Sequence, residues 1–321
     1  MKTIEAKFKI VTPMFLHGAD QTKAEIRVSS IKGMLRFWWR ALNYDDNISK
    51  VWEKDAYIFG GSDQKIGKSK VMFTLTENNT STKIAEKWST NEWKSYIGYG
   101  LTNKKTKNSE LEKTECLEPG GEFKIRIDID EKQDGNKNII AYDEVVKVLK
   151  VFGLLGGLGS RSRRGWGSIS IVELKTDNHT SWEIPHKEDK YTYELKKLLG
   201  NSKNNASLPP EYTAFYSGTR IVISKNPFPT YESAFKEIAE EYKNYDKKNE
   251  GFGSPRKNSN GRRASPLFIH IHQIDNNQYL WVCIFFKSKF NESSDMPSDD
   301  YKNVEDFIAK LINDGNTEVK L

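Results

Sequence analysis

Residues 156–168 of this chain read Gly-Gly-Leu-Gly-Ser-Arg-Ser-Arg-Arg-Gly-Trp-Gly-Ser and concentrate its most distinctive chemistry. Arg161, Arg163 and Arg164 present planar guanidinium donors suited to phosphate, and no acid interrupts them. The glycines, Gly157 and Gly159 among them, free main-chain N–H groups to approach a ligand's backbone. A second cationic set, Lys32, Arg36 and Arg40, is expected to share one side of a helix with Trp39. Three cations around an aromatic ring suit sugar-phosphate and a stacked base. A third basic stretch, residues 251–266, carries Arg262 and Arg263 and again no acid. The chemistry these residues offer is the binding of a single-stranded polyanion, largely indifferent to sequence and weakened by salt.

Catalytic signals are sparse. His17 stands on a glycine-containing loop beside Asp20 and ahead of Lys23. In a metal-independent ribonuclease a histidine removes the 2′-hydroxyl proton while a cation stabilises charge at phosphorus, so His17 stays open as an alternative. The two cysteines and five histidines form no ligand spacing, and neither a metal nor a cofactor is expected; His270 and His272 alternate on a strand and could chelate a metal edge-on, but a sheet-face pair with no partner ligand reads as structural or solvent-facing. Gly67-Lys68-Ser69 is not a phosphate loop, because Ser62 holds the required glycine position and residues 71–75 continue as a strand.

The elements that must position these residues follow from periodicity. Residues 3–12 alternate as a strand, 31–43 repeat at helical spacing, and 44–66 look irregular. A strand at 71–75 precedes a polar, Lys-rich insertion at 77–117, in which 103–108 is expected to be mobile. A strand at 123–129, a helix at 143–155, the basic loop and a strand at 168–174 complete the first half. That order is the split βαβ of a ferredoxin-like domain. The second half repeats it, with a strand within 212–224, a helix at 231–245, strands at 267–274 and 279–286 and a helix at 304–312. The expected fold is therefore α+β, two ferredoxin-like, RRM-like domains with long insertions, at 1–175 and 211–321, joined by a linker at 176–210.

Bulk properties agree with a globular chain of two domains: 321 residues, 36% hydrophobic and 29% charged. The net charge of +6 comes from 50 basic against 44 acidic residues, so any polyanion site must arise from clustering. Two cysteines are too few for a disulfide framework, the amino terminus alternates rather than forming a signal peptide, and the apolar run at 279–286 is short for a bilayer. A cytoplasmic protein is expected.

Residues 12–20, 24–42, 58–60 and 156–168 together are similar to the family of first subunits of the Cmr complex, the type III-B CRISPR effector, within the repeat-associated RAMP superfamily. The Ile31-Lys32-Gly33 helix with Arg36, Trp38 and Arg40, followed by the Gly/Arg loop, carries the resemblance; in the second half only residues 262–266 are similar. The resemblance implies two ferredoxin-like domains and a non-catalytic subunit contributing to antiviral defence. It also implies contacts with neighbouring RAMP subunits and with CRISPR guide RNA near its 3′ portion, target RNA being a further partner.

Overall fold

A computed structural model describes the chain outside residues 62–67, 90–91, 103–113, 131–140, 178–181, 201–208, 246–249, 259–260 and 289–300, and outside the side chains of 250, 254–258 and 261–263. The stretch 103–108, expected to be mobile, lies outside the described residues. Strand β1 (Lys2–Ile10) is followed by helices α1 (Val28–Leu42) and α2 (Ile48–Phe59) and strand β2 (Val71–Asn79). The insertion contributes β3 (Thr82–Ile84), α3 (Trp93–Ile97) and β4 (Glu115–Leu117). Strand β5 (Glu122–Ile129), helix α4 (Ala141–Leu155) and strand β6 (Ile169–Thr176) then complete an antiparallel sheet in the order β2-β5-β1-β6. Helix α5 (Glu188–Leu199) leads to β7 (Arg220–Ile223), α6 (Tyr231–Tyr245) and the hairpin β8 (Ser254–Asn258) and β9 (Gly261–Arg263). Strands β10 (Leu267–Asp275) and β11 (Gln278–Phe285), helix α7 (Lys302–Asn313) and strand β12 (Thr317–Lys320) close the second antiparallel sheet, ordered β10-β11-β7-β12. In each sheet the last strand in sequence pairs with the first, as a βαββαβ chain requires. Among the described residues no helix is long and apolar enough to cross a membrane.

The two sheets differ in how much of them is covered. In the first, Ile4, Ala6, Phe8 and Ile10 of β1 face the core while Glu5, Lys7 and Lys9 do not, the period-2 pattern of a half-buried strand. In the second, Phe268, Val282, Ile284 and Ile221 join one core and their alternates Ile269, Cys283, Phe285 and Val222 join another. The first core holds α1, α4 and α5, and the second holds α6 and α7. The molecule is thus layered as sheet, helices, sheet, helices. Trp38 of α1 marks the central contact, its ring stacked on Phe215 and edge-on to Phe268.

Three elements depart from the sequence expectation. Residues 44–66 are not irregular throughout, because α2 occupies 48–59 and is capped by the Asn47 side chain, which accepts the Lys50 N–H. Its buried stripe, Val51, Asp55, Ile58 and Phe59, contains a charge, which hides the amphipathic pattern. Within the stretch 176–210, read as a linker, α5 buries Tyr191, Leu195 and Leu199, and the Tyr191 hydroxyl donates to the Leu154 carbonyl at 2.6 Å. Strand β12 has only four residues and was not foreseen.

His270 and His272 are both buried where β10 meets β6; Ser170 Oγ lies 3.3 Å from His272 Nδ1. Burial pushes the His270 imidazole down to about 3, and burial with the neighbouring His270 holds His272 well below the usual range. Both are neutral when folded and protonate near pH 6.5 when unfolded. Stability is therefore complete above about pH 6.5 and is lost as pH falls below it, the His270 contribution continuing down to about pH 3. Urea melts between pH 7.5 and 5 check this, and a His270→Gln, His272→Gln variant is expected to show a flatter profile. Trp38→Ala is expected to cost about 3–5 kcal/mol in the same assay at pH 7.5, since it opens a cavity between the two sheets.

Candidate nucleic-acid interface

The Gly/Arg loop begins where α4 ends, with the Gly156 N–H closing on the Phe152 carbonyl at 2.8 Å. The loop then doubles back on itself, Leu158 N–H donating to the Gly167 carbonyl at 2.9 Å. On one side it is tied to residues 12–15: Ser160 N–H donates to the Phe15 carbonyl, Gly167 N–H to the Pro13 carbonyl, and Thr12 Oγ1 to the Gly165 carbonyl at 2.7 Å. On the other it reaches the second half, where Ile269 N–H donates to the Arg163 carbonyl at 2.8 Å. The loop is a clasp between the two halves of the chain. Its glycines serve that closeness: a Cβ on Gly165, at φ +85°, would stand 2.7 Å from the Phe235 ring, and one on Gly159, at φ +87°, 2.5 Å from the Phe15 carbonyl. Gly157 is buried against Gly167, so its main chain does not reach a phosphate as the sequence suggested.

Each arginine of the clasp is held by an uncharged partner. Arg161, a non-glycine residue at φ +61°, donates through Nε and Nη2 to the Tyr99 carbonyl at 3.0 and 2.7 Å. Arg163 lies over the rings of Phe37 and Phe268, 5.4 and 4.7 Å from their centroids, and burial lowers its pKa without discharging it. Arg164 stands 5.4 Å from the Tyr242 centroid, near enough to Arg161 that its charge adds to the burial lowering the Arg161 pKa. Among the described residues none of the three has a carboxylate within ion-pair distance. Their charge is oriented but not neutralised.

Helix α1 supplies the second cationic set. Arg36 pairs with Asp55 of α2, Nη2 to Oδ2 at 2.5 Å, and Arg40 reaches the same oxygen at 3.4 Å. Lys32 donates to Ser69 Oγ at 3.0 Å, and burial together with the Arg36 charge lowers its pKa. Asp55 is 2% exposed and is, among the described residues, the acidic group paired with Arg36 and Arg40, so the described row keeps an excess of positive charge. Phe37, on the adjoining face of the same helix, lies beneath Arg163, so row and clasp meet along α1. Exposed Gly33 sits on the face between them, and a Cβ there would meet nothing within 4 Å.

Several expected contacts are corrected by burial. Trp39 does not stack on a base: it is 1% exposed, its Nε1 donates to Glu144 of α4 at 3.1 Å, and its ring meets Phe59 edge-on. Its place on α1 falls beside Leu35 and Leu42 rather than with the cations, a distinction that spacing alone blurs. Arg262 and Arg263 lie in β9, and their side chains are outside the described set. His17 donates through Nε2 to the Glu115 carbonyl at 2.9 Å, while the Glu25 carboxylate lies against neighbouring Gly18. The open face of the first sheet carries ion pairs, Lys7 with Glu122 at 2.6 Å and Lys124 with Glu5 at 3.0 Å, where an RRM presents aromatic rings to bases. Asp55 was missed from the sequence; an acid interrupting an apolar helical stripe, four residues past Val51, is the signal that would have found it.

A family model described as the RAMP superfamily matches residues 7–170. Among curated proteins, the CRISPR system Cmr subunit Cmr1-1 of Pyrococcus furiosus is 28% identical over 295 residues, covering 83% of this chain and 82% of that protein. Subunit Cmr1-2 of the same organism is 27% identical over 183 residues, 51% of this chain and 92% of that one. The crystal structure of Cmr1 from Pyrococcus furiosus in its apo form has a similar fold, with a TM-score of 0.65, 21% identity and coverage of 100% and 98% of the two chains. A chain in a cryo-EM structure of the type III-B Cmr-beta bound to cognate target RNA and AMPPnP is also similar in fold, with a TM-score of 0.59, 16% identity and coverage of 97% and 99%.

Because Asp55 is the carboxylate that holds Arg36 and Arg40 together, Asp55→Asn is expected to lower the unfolding free energy by about 2–3 kcal/mol in urea. The cost falls below that of a fully buried pair because both arginines keep contact with water.

Proposed function

This chain belongs to the RAMP superfamily, and from that premise we propose that it is an RNA-binding, non-catalytic subunit of a type III-B CRISPR (Cmr) ribonucleoprotein. We place it in the cytoplasm, holding guide RNA near its 3′ portion, in contact with target RNA and with other RAMP subunits. Residues 1–175 and 211–321 are read as its two ferredoxin-like domains, and the strand orders of the two sheets support that reading. The similarity of four-fifths of the chain to a curated Cmr subunit supports the assembly.

One observation carries the binding role: Arg161, Arg163 and Arg164 are fixed by a carbonyl and aromatic rings, and no described carboxylate quenches them. A protein that needed these residues only as ties would be expected to neutralise buried charge with acids. The α1 row, in which Asp55 is the paired acid among the described residues, extends the positive surface past Gly33. Phosphates along such a track are bound by charge and by oriented guanidinium donors, which fits a guide of any sequence. The reading of His17 as a catalytic base draws less support. Its Nε2 is tied to a backbone carbonyl, which leaves only Nδ1 to take a proton, and its neighbour Gly18 is covered by the Glu25 carboxylate.

Arg161→Ala with Arg164→Ala is expected to weaken binding of single-stranded RNA and to lower the slope of log Kd against log salt by about 1.4, two phosphate contacts' worth. Fluorescence anisotropy between 50 and 300 mM salt measures both. An unchanged slope would remove the clasp from the interface.

A further inference from the structure

We infer that the cavity between the insertion and helix α6 is a pocket for one nucleobase of single-stranded RNA; the inference rests on the RNA-binding role proposed above. The cavity measures about 170 Å³, below the roughly 300–1,000 Å³ of sites for drug-sized ligands and suited to a single ring system. Its walls are aromatic and come from separate parts of the chain. Trp88 of the insertion stacks on Trp166 of the clasp, centroids 4.7 Å apart and planes 18° apart, and Phe15 meets both edge-on. Trp93 of α3 packs edge-on against Phe235 of α6 at 4.9 Å and is only partly buried.

The polar groups at the cavity select the ligand class. Trp166 is 2% exposed, lines the cavity, and has no acceptor for its indole N–H among the described residues. Lys94 and Glu232, 3.1 Å apart, line the cavity together with Lys83 and Glu86. A nucleobase answers these features: a flat π-face for aromatic walls, carbonyl and ring-nitrogen acceptors for the lysines, and exocyclic amino donors for the carboxylates. The pocket also adjoins the phosphate track. Arg161 of the clasp grips the carbonyl of Tyr99, which follows α3 by two residues and is itself 73% exposed. A strand held at the clasp can therefore splay a base toward the wall that α3 provides.

The test measures the affinity of the full-length chain for an unstructured 15-nucleotide RNA and for the same ribose-phosphate backbone without bases. Wild type, Trp93→Ala and Ala85→Phe are compared; the last fills the cavity while keeping its aromatic walls, and circular dichroism confirms that each variant is folded. The wild-type preference for base-bearing RNA is expected to shrink about tenfold in both variants, the scale of one lost stacking contact, with the salt slope unchanged. A preference that persists in both variants overturns the pocket and leaves RNA binding intact. Absence of RNA binding by the wild type overturns the pocket and the proposed function together. Variants that bind RNA normally but no longer co-purify with the other Cmr subunits overturn it too, assigning the cavity to a protein side chain.

Discussion

Strands β10 and β11 are buried on both faces, apolar there apart from His270 and His272, so the second sheet must be covered twice, and most of the architecture follows from that requirement. Its own helices, α6 and α7, cover one face. The other is covered by helices of the first half, with Trp38 of α1 set against Phe215 and Phe268. Helix α1 is therefore enclosed on most of its circumference, and the side that remains is the one with Lys32, Arg36 and Arg40. Asp55, reaching in from α2, allows two arginines to lie close together there without mutual repulsion dominating.

The clasp solves a related problem. Two sheets that share a helical layer still need their edges held, and residues 156–168 do this through main-chain hydrogen bonds to residues 12–15 and to Ile269. Such close approach demands glycine at 165 and 167, where any side chain would collide with Phe235 or with the Leu158 carbonyl. Arg161 accepts a left-handed conformation, a cost of order 1 kcal/mol, and is held in it by two hydrogen bonds to Tyr99. The cations are thus positioned by the same contacts that join the halves. Rigidity at the junction and order in the positive track have one source.

Burial also redistributes the roles of the aromatic residues. Trp39, whose spacing placed it with the cations, is consumed by packing against Phe59 and by its bond to Glu144. The insertion, by composition a polar and Lys-rich excursion, supplies Trp88 and Trp93 to a cavity that no single segment could form. The first sheet keeps an open face, yet that face is laced with lysine–glutamate pairs and offers no stacking platform. Aromatic rings that line a cavity lie at the junction and not on that sheet face.

Periodicity determined the elements whose patterns are local: β1, α1, β5, α4, α6 and the β10–β11 hairpin lie where alternation or helical spacing placed them. Composition located the cationic stretches for the same reason, since charge is carried in the residue types themselves. Helices α2 and α5 escaped because their signals are not local. Asp55 is tolerated in an apolar stripe only because Arg36 and Arg40 face it, and α5 stands in a polar context whose few apolar residues find their partners across the chain. Which cations stay unpaired, and which aromatic rings reach a cavity, depends on contacts between residues more than a hundred positions apart, such as Arg163 with Ser265 and Thr12 with Gly165. Those distances exist only once the two halves have closed on one another.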